Sequence, residues 1–459
     1  MAAAMQRLPV VVVLGATGSG KSKLAIDLAK RFSGEIISAD SMQVYKGLDI
    51  ITNKVSEEEQ EICPHHMIGY VDPLQLRYKV TDFRNKALPI IDGLLKKQKL
   101  PIIVGGTHYY IEALLWHLLI DQKCVSSDEE GEEAAVVTPS DELLELRENF
   151  DDLDSRELYA KLMSVDPSYA KTLHPNNKRK IIRGLEVHSQ HGVTMSEILA
   201  EQHQEDQDVS GPLRYQHNCI FWVQCQQTVL DERLDKRVDS MLERGLVAEL
   251  LDFHSRYNQQ RLEEHKEADY THGIFQSIGF KEFHNYLILP EQERQSQMGE
   301  TLLKEGIDAL KLVTRRYARR QITWIKNRLL RRPGQDVPAV YTVDATKPEE
   351  WDYAVLEPAC HILETIMKGD VPLISPAQKE VKQSDPVVHK ICDICDGQIL
   401  LTQSNWEGHL KSRKHLKRVY KKRKRQRELL QLMQSYEKKK HTEAAGGPIG
   451  AVADDSAST

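Results

Sequence analysis

The chain has 459 residues, 40% of them apolar and 28% charged, with a formal net charge of −6. That length has room for two or three domains with a substantial core, and the composition is ordinary for a globular protein. No apolar run approaches a membrane span, Met1–Pro9 is too short for a secretory signal, and seven scattered cysteines argue for a reducing compartment and against a disulfide framework.

Charge is segregated along the chain. Acid gathers at Asp128–Glu133, and base at Lys178–Arg183, Lys311–Arg332 and Lys411–Arg427. Separate basic blocks suit contact with an anionic polymer better than the net charge suggests.

In chain order, Val10–Leu14 predicts a buried strand and Lys21–Arg31 an amphipathic helix. Between them lies Gly15-Ala16-Thr17-Gly18-Ser19-Gly20-Lys21-Ser22. This G-x-x-x-x-G-K-S pattern is a phosphate cradle. Its glycines let backbone N–H groups converge on phosphate oxygens, and the helix adds its positive N-terminal end. Lys21 brings a point charge, and Ser22 a hydroxyl for Mg²⁺. A second strand, Glu35–Ile37, leads to Asp40-Ser41-Met42-Gln43-Val44-Tyr45. That places a carboxylate at the C-terminal end of a neighbouring strand, where α/β sheets hold ligands. A bound phosphate beside a base points to group transfer. Thr81–Lys97 predicts a helix and Pro101–Val104 a strand ending in Gly105-Gly106-Thr107. Residues 8–120 are thus the first part of a P-loop α/β core, a parallel sheet covered on both faces.

Residues 121–215 predict an insertion, with an acidic loop over 121–142 followed by helical periodicity. The core resumes over 216–332 with a strand at Ile220–Val223, a long helical stretch Val229–Arg256 and a helix Leu302–Leu330. That last helix turns Leu303, Ile307, Leu310, Val313 and Tyr317 to one side and bases to the other. Its segment Thr314–Arg328 contains no acid and interleaves Tyr317 and Trp324 with arginines. It fits an RNA backbone groove and equally a helix with inward aromatics and solvated arginines. Residues 333–387, with recurring prolines, predict a linker in which Trp351–Met367 could be a helix. Residues 388–420 form a compact module, and 421–459 a basic helix and a polar tail, disordered from His441.

The phosphate loop does not name its ligand. Ile102-Ile103-Val104 ends in Gly105-Gly106-Thr107 rather than an acid, and Asn53-Lys54 is followed by Val55-Ser56. Both the usual ATPase acid and a guanine reader are therefore missing. A kinase remains open, with Asp40 deprotonating a hydroxyl. Asp40 alone also fits a helix cap or a ligand to a Mg²⁺ water. The amide of Gln43 matches adenine's donor–acceptor edge, although an isolated glutamine is more often solvated. Near the end, Cys392-x2-Cys395-x13-His409-x5-His415 offers two thiolates and two imidazoles for a closed, structural Zn²⁺ site. Leu400, Trp406 and Leu410 are its expected small core. The bases after it extend a surface for nucleic acid or serve as a nuclear-localisation signal.

Taken together, several motifs resemble the tRNA dimethylallyltransferase (isopentenyltransferase) family in its eukaryotic form. They are Gly15–Ser22, Asp40–Tyr45, Asp82-Phe83-Arg84, Gly105–Tyr110, Lys178–Arg183, Arg233–Asp239, Gln276–Glu282 and Arg316–Gln321, in the family's order. The finger resembles the matrin or U1 type. The resemblance implies transfer of a dimethylallyl group from dimethylallyl diphosphate to N6 of adenine 37 in a tRNA anticodon loop. It makes Gly15–Ser22 the diphosphate site, with Mg²⁺ on Ser22 and another hydrogen bond from Thr17. Asp40 becomes the general base, and either Arg237 or Arg233 meets the leaving group. Thr107 orients the adenine or Asp40. The adenine flips into a channel and meets Asp40, Ser41, Met42 and Gln43, while Asn177, Lys178, Arg179, Lys180 and Arg183 grip the anticodon stem-loop. Other expectations are no membrane partner, a monomer, and a cytosolic and mitochondrial location with a nuclear role open. Two other functions fit the same residues: a prenyltransferase for free adenine nucleotides, and a non-catalytic P-loop RNA-binding protein.

Overall fold

The computed structural model describes residues 8–75, 77–117, 150, 153–205, 213–258, 270, 272–331, 337–380 and 385–445. The acidic loop expected over 121–142 lies outside them. Two compact units share the chain: 1–128 with 202–382, and 129–201 with 383–459.

The first unit is built on a six-stranded sheet. Its strands are β1 (Val10–Gly15), β2 (Glu35–Ser38), β3 (His65–His66), β4 (Pro101–Val104), β5 (Asn218–Gln224) and β6 (Val340–Asp344). Their order is β3-β2-β4-β1-β5-β6, and every pairing is parallel. Val10, Val12 and Leu14 face one core with Ile37, Ile103 and Ile220. Val11 and Val13 face the other with Ile36, Ile102, Phe221 and Val343. Burial on both faces is why these strands read as unbroken apolar runs.

The order corrects one expectation. β2 is not the neighbour of β1, because β4 lies between them. The phosphate loop at the end of β1 and Asp40 after β2 are therefore two strand spacings apart, about 10 Å.

The segment expected as a linker, 333–387, is largely core. Val340–Asp344 pairs with β5, and Trp351, Val355, Ala359, Ile362 and Leu363 pack on the sheet. Prolines misled here because Pro338 and Pro348 flank the strand and Pro358 sits in the first turn of helix Glu357–Met367, places where proline costs little. Trp351 reaches the phosphate loop. A Cβ on Gly20 (φ 100) would lie 2.8 Å from its ring. Its indole N–H donates to Asp27 at 2.9 Å, and Lys23 sits over the ring.

Other differences are local. The expected stretch Val229–Arg256 is two helices, Gln227–Glu243 and Leu246–Tyr257, because the chain turns at Gly245 (φ 93). The long helix runs Gln297–Ile325 and ends in a π turn. Its buried stripe is Gly306, Leu310, Thr314, Ala318, Gln321 and Ile325, whereas Val313 is only half-buried.

The second unit contains the helical insertion and the Cys–His module. In the insertion, helices Ser155–Val165, Pro167–Thr172, Lys178–His191 and Met195–Glu205 enclose Leu158, Leu162, Ala170, Ile181, Ile182 and Leu185. Buried Asp166 caps the second of these and accepts from the Ser196 N–H. In that module, hairpin Val387–Cys392 and Gln398–Thr402 precedes helix Gln403–Lys411. A helix from Arg413 then continues unbroken to Ala445, so no boundary falls at 420 and the chain stays helical past His441.

Replacing Trp351 by Ala should cost about 3–5 kcal/mol, read as a lower urea midpoint. A loss below about 1 kcal/mol would restore the linker interpretation.

Candidate active site

The site lies at the C-terminal ends of β1, β2, β4 and β5. Glycine-rich residues after β1 turn sharply into helix Lys21–Phe32, whose first-turn amides have no carbonyl of their own helix to meet. Lys21 is buried, and its ammonium donates to the Ala16 carbonyl at 2.8 Å. Burial pushes its pKa down to about 8; Arg237 adds to the shift and Asp40 opposes it. Ser19 is also buried, its hydroxyl without a partner among the described residues. Ser22 is exposed at the helix start. The Thr17 N–H is not turned into the cradle. It donates to Gln321 Oε1 at 2.7 Å.

Asp40 is set by its own loop. Its Oδ1 accepts from the Met42 N–H at 3.0 Å. The Ser41 N–H donates to Thr107 Oγ1 at 2.9 Å, and the Thr107 N–H donates to the Ala39 carbonyl at 3.1 Å. Thr107 therefore positions the Asp40 loop. Ser277, buried in the segment Gln276–Glu282, donates to the Ile274 carbonyl at 2.5 Å, and its hydroxyl oxygen lies 3.4 Å from Met42 Sδ.

Gln43 is not offered as a base reader. Its amide oxygen accepts from Ser38 at 2.9 Å, and its nitrogen donates to the carbonyls of Thr52 and Asn53 at 3.2 and 3.0 Å. Its two N–H donors hold the loop that follows, and its oxygen is tied back to β2.

The two arginines separate. Arg233 donates to the Thr346 carbonyl at 2.8 Å and lies 3.5 Å from Cys225 Sγ, so it ties the end of β6 to the sheet. Arg237 Nε is buried with no partner among the described residues. Burial brings its pKa to about 10, Arg244 adds to the fall, and Asp40 opposes it. Arg237 is the arginine whose charge is felt at Lys21.

The basic face of helix Gln297–Ile325 is largely spoken for. Lys311, Arg315 and Arg319 pair with Asp239, Asp235 and Asp231 on helix Gln227–Glu243, one rung per helical turn. Arg328 pairs with buried Glu112 at 3.1 Å. Arg316 and Arg320 stay exposed. Trp324 stacks on His108 at 5.0 Å between centroids. Burial and Lys21 push His108 down to about 3, so it is neutral at physiological pH.

In the second unit, Arg179, Lys180 and Arg183 are exposed on helix Lys178–His191, and Lys178 is half-buried. Asn177 caps that helix, its oxygen accepting from the Lys180 N–H at 3.4 Å. Potential ligand atoms of Cys392, Cys395, His409 and His415 all lie within 4.8 Å of one another. His415 Nδ1 is 3.5 Å from both sulfurs and 3.1 Å from His409 Nε2, spacings that fit the edges of a tetrahedron around Zn²⁺. Leu400 is buried and Trp406 stacks on His409, but Leu410 is exposed and leaves the expected core.

Sequence reasoning missed Gln321, Ser277 and Trp351. The signal for Gln321 was a lone amide on an otherwise apolar or small-residue stripe.

A phosphate loop on the central strand, with a carboxylate two strands away and buried Lys21 and half-buried Arg237 beside it, defines a P-loop group-transfer enzyme. Residues 43–328 match the family described as "IPP transferase", and residues 8–63 the family "Isopentenyl transferase". The chain belongs to the IPP transferase family. It is 48% identical over 419 residues to the human tRNA dimethylallyltransferase, covering 91% of this chain and 87% of that one. The Saccharomyces cerevisiae tRNA dimethylallyltransferase is 33% identical over 427 residues, covering 88% and 91%. A solved eukaryotic dimethylallyltransferase acting on tRNA superposes with a TM-score of 0.70 at 29% identity, covering 93% of this chain and 100% of that one.

Anionic ligand should return a full charge to Lys21. Inorganic diphosphate binding should take up roughly half a proton or more at pH 8.5 that it does not take up at pH 7, where Lys21 is already protonated. Calorimetry in buffers of different ionisation heat reads this, with Lys21→Met as the control. Equal uptake by both proteins would overturn the assignment.

Proposed function

We infer that this chain transfers a dimethylallyl group from dimethylallyl diphosphate to an adenine of tRNA. The observation that carries it is the phosphate cradle and the Asp40 carboxylate on one sheet edge, in a chain so similar to tRNA dimethylallyltransferases.

The allylic C–O bond breaks and its electron pair leaves with diphosphate. Cradle amides, Lys21 and Arg237 stabilise that charge. Arg237, whose Nε is buried without a partner among the described residues, is the arginine for the leaving group, because Arg233 is committed to Thr346. N6 of adenine forms the new C–N bond with its lone pair and passes a proton to an Asp40 oxygen. Products are the N6-dimethylallyl adenine and diphosphate. The exposed Ser22 hydroxyl suits Mg²⁺, which takes few protein oxygens beside phosphate and water. When bound, Mg²⁺ neutralises leaving-group charge.

The acceptor is adenine 37, flipped out of the anticodon loop. Exposed Arg179, Lys180 and Arg183 supply phosphate contacts to the anticodon stem-loop, and the Zn²⁺ finger with its basic helix adds affinity. The protein acts as a monomer in cytosol and mitochondria. Free adenine nucleotides are the weaker acceptor, because these basic surfaces have no use for them.

Asp40→Asn should lower turnover by about 10²–10⁴-fold while tRNA still binds, read by mass spectrometry of nucleosides and by filter binding. Arg237→Ala should cost far more turnover than Arg233→Ala; the reverse order would reassign the leaving-group contact. Cys392→Ser should lose zinc and weaken tRNA binding, leaving turnover at saturating tRNA unchanged; loss of that turnover would tie the finger to catalysis.

A further inference from the structure

We propose that Gln321 is a positioning residue for the transfer. Its amide ties the phosphate loop to the loop beside the base, and so fixes the distance from leaving group to Asp40.

Gln321 is only 3% exposed, and both ends of its amide are used. Oε1 accepts from the Thr17 N–H at 2.7 Å, and Nε2 donates to the Gly106 carbonyl at 2.9 Å. One helical turn earlier, the Tyr317 hydroxyl donates to that same carbonyl at 3.2 Å. A Cβ on Gly106 would lie 2.8 Å from Gln321 Nε2 and 3.0 Å from Asp40 Oδ2, so amide and carboxylate flank one residue. The ends of β1 and β4 are thereby joined next to Asp40 by a single side chain. Its helix is fixed in turn by the ion pairs to Asp231, Asp235 and Asp239. Helix Gln227–Glu243 carries Arg237 between the last two of those aspartates. One brace therefore references the cradle, the base loop and Arg237 to each other.

The bridge needs one acceptor and one donor on the same planar group. Methionine fills the space without either. Glutamate accepts from Thr17 but, ionised, repels the Gly106 carbonyl and Asp40; protonated, its O–H restores the donor. Burial and the Asp40 charge raise the carboxyl pKa of such a side chain, bringing the protonated form towards neutral pH.

The full-length chain is assayed with tRNA and dimethylallyl diphosphate at pH 6 to 8.5. Gln321→Met should lose roughly 30–100-fold in kcat, as expected for a small misplacement, with inorganic diphosphate affinity within about threefold of wild type. For Gln321→Glu, the ratio of its kcat to wild type at the same pH should rise as pH falls. That comparison uses one folded protein, so it stands even if Gln321→Met is unstable. Wild-type kcat in Gln321→Met, or a pH-independent ratio for Gln321→Glu, overturns the proposal. It rests on Asp40 as base, and that assignment fails separately if Asp40→Asn keeps wild-type turnover.

Discussion

The arrangement depends on strand order. With β4 between β1 and β2, the phosphate loop after β1 and the Asp40 carboxylate after β2 are held about two strand spacings apart. That gap is wide enough to admit two reacting groups and too wide for Asp40 to reach the cradle directly. The Gly105–Thr107 loop fills it from the end of β4. Thr107 holds the Asp40 side, and Gly106 meets the Gln321 amide that also holds Thr17. An enzyme that joins two substrates needs such fixed spacing, since orientation supplies much of the rate.

Electrostatics follows from the same geometry. Lys21 and Arg237 are both pushed towards their neutral forms, and Asp40 alone opposes this for each. Gathering partly desolvated cations without enough counter-charge is costly to the fold, and it creates a strong preference for an anion. The ladder of aspartates against Lys311, Arg315 and Arg319 has a different use. Exposed ion pairs stabilise weakly, but three in register set how two helices align. They also explain why a stretch dense in arginine is mainly an internal strut, with Arg316 and Arg320 left outward.

Much of this was legible in the chain. Apolar strands at 10–14, 35–37, 101–104 and 220–223, the phosphate loop and the Cys–His spacing are local patterns, and local patterns carry their own chemistry. What misled were residues whose roles depend on distant partners. Prolines around 338–358 suggested a linker, yet Val340–Asp344 completes the sheet and Trp351 backs Gly20. Gln43 suggested a base reader, yet Ser38, Thr52 and Asn53 use its amide.

The amino-acid sequence by itself determined the cradle, the carboxylate that follows β2, the Cys–His cluster and the family, because each is a short pattern of residue types. Only tertiary structure decided that the Arg237 charge is felt at Lys21 while Arg233 is tied to the Thr346 carbonyl, and that Gln321 joins residues 304 and 215 positions away. The reason is that burial and hydrogen-bond partners are properties of the packed chain. Two arginines four residues apart on one helix are alike until their surroundings are folded around them.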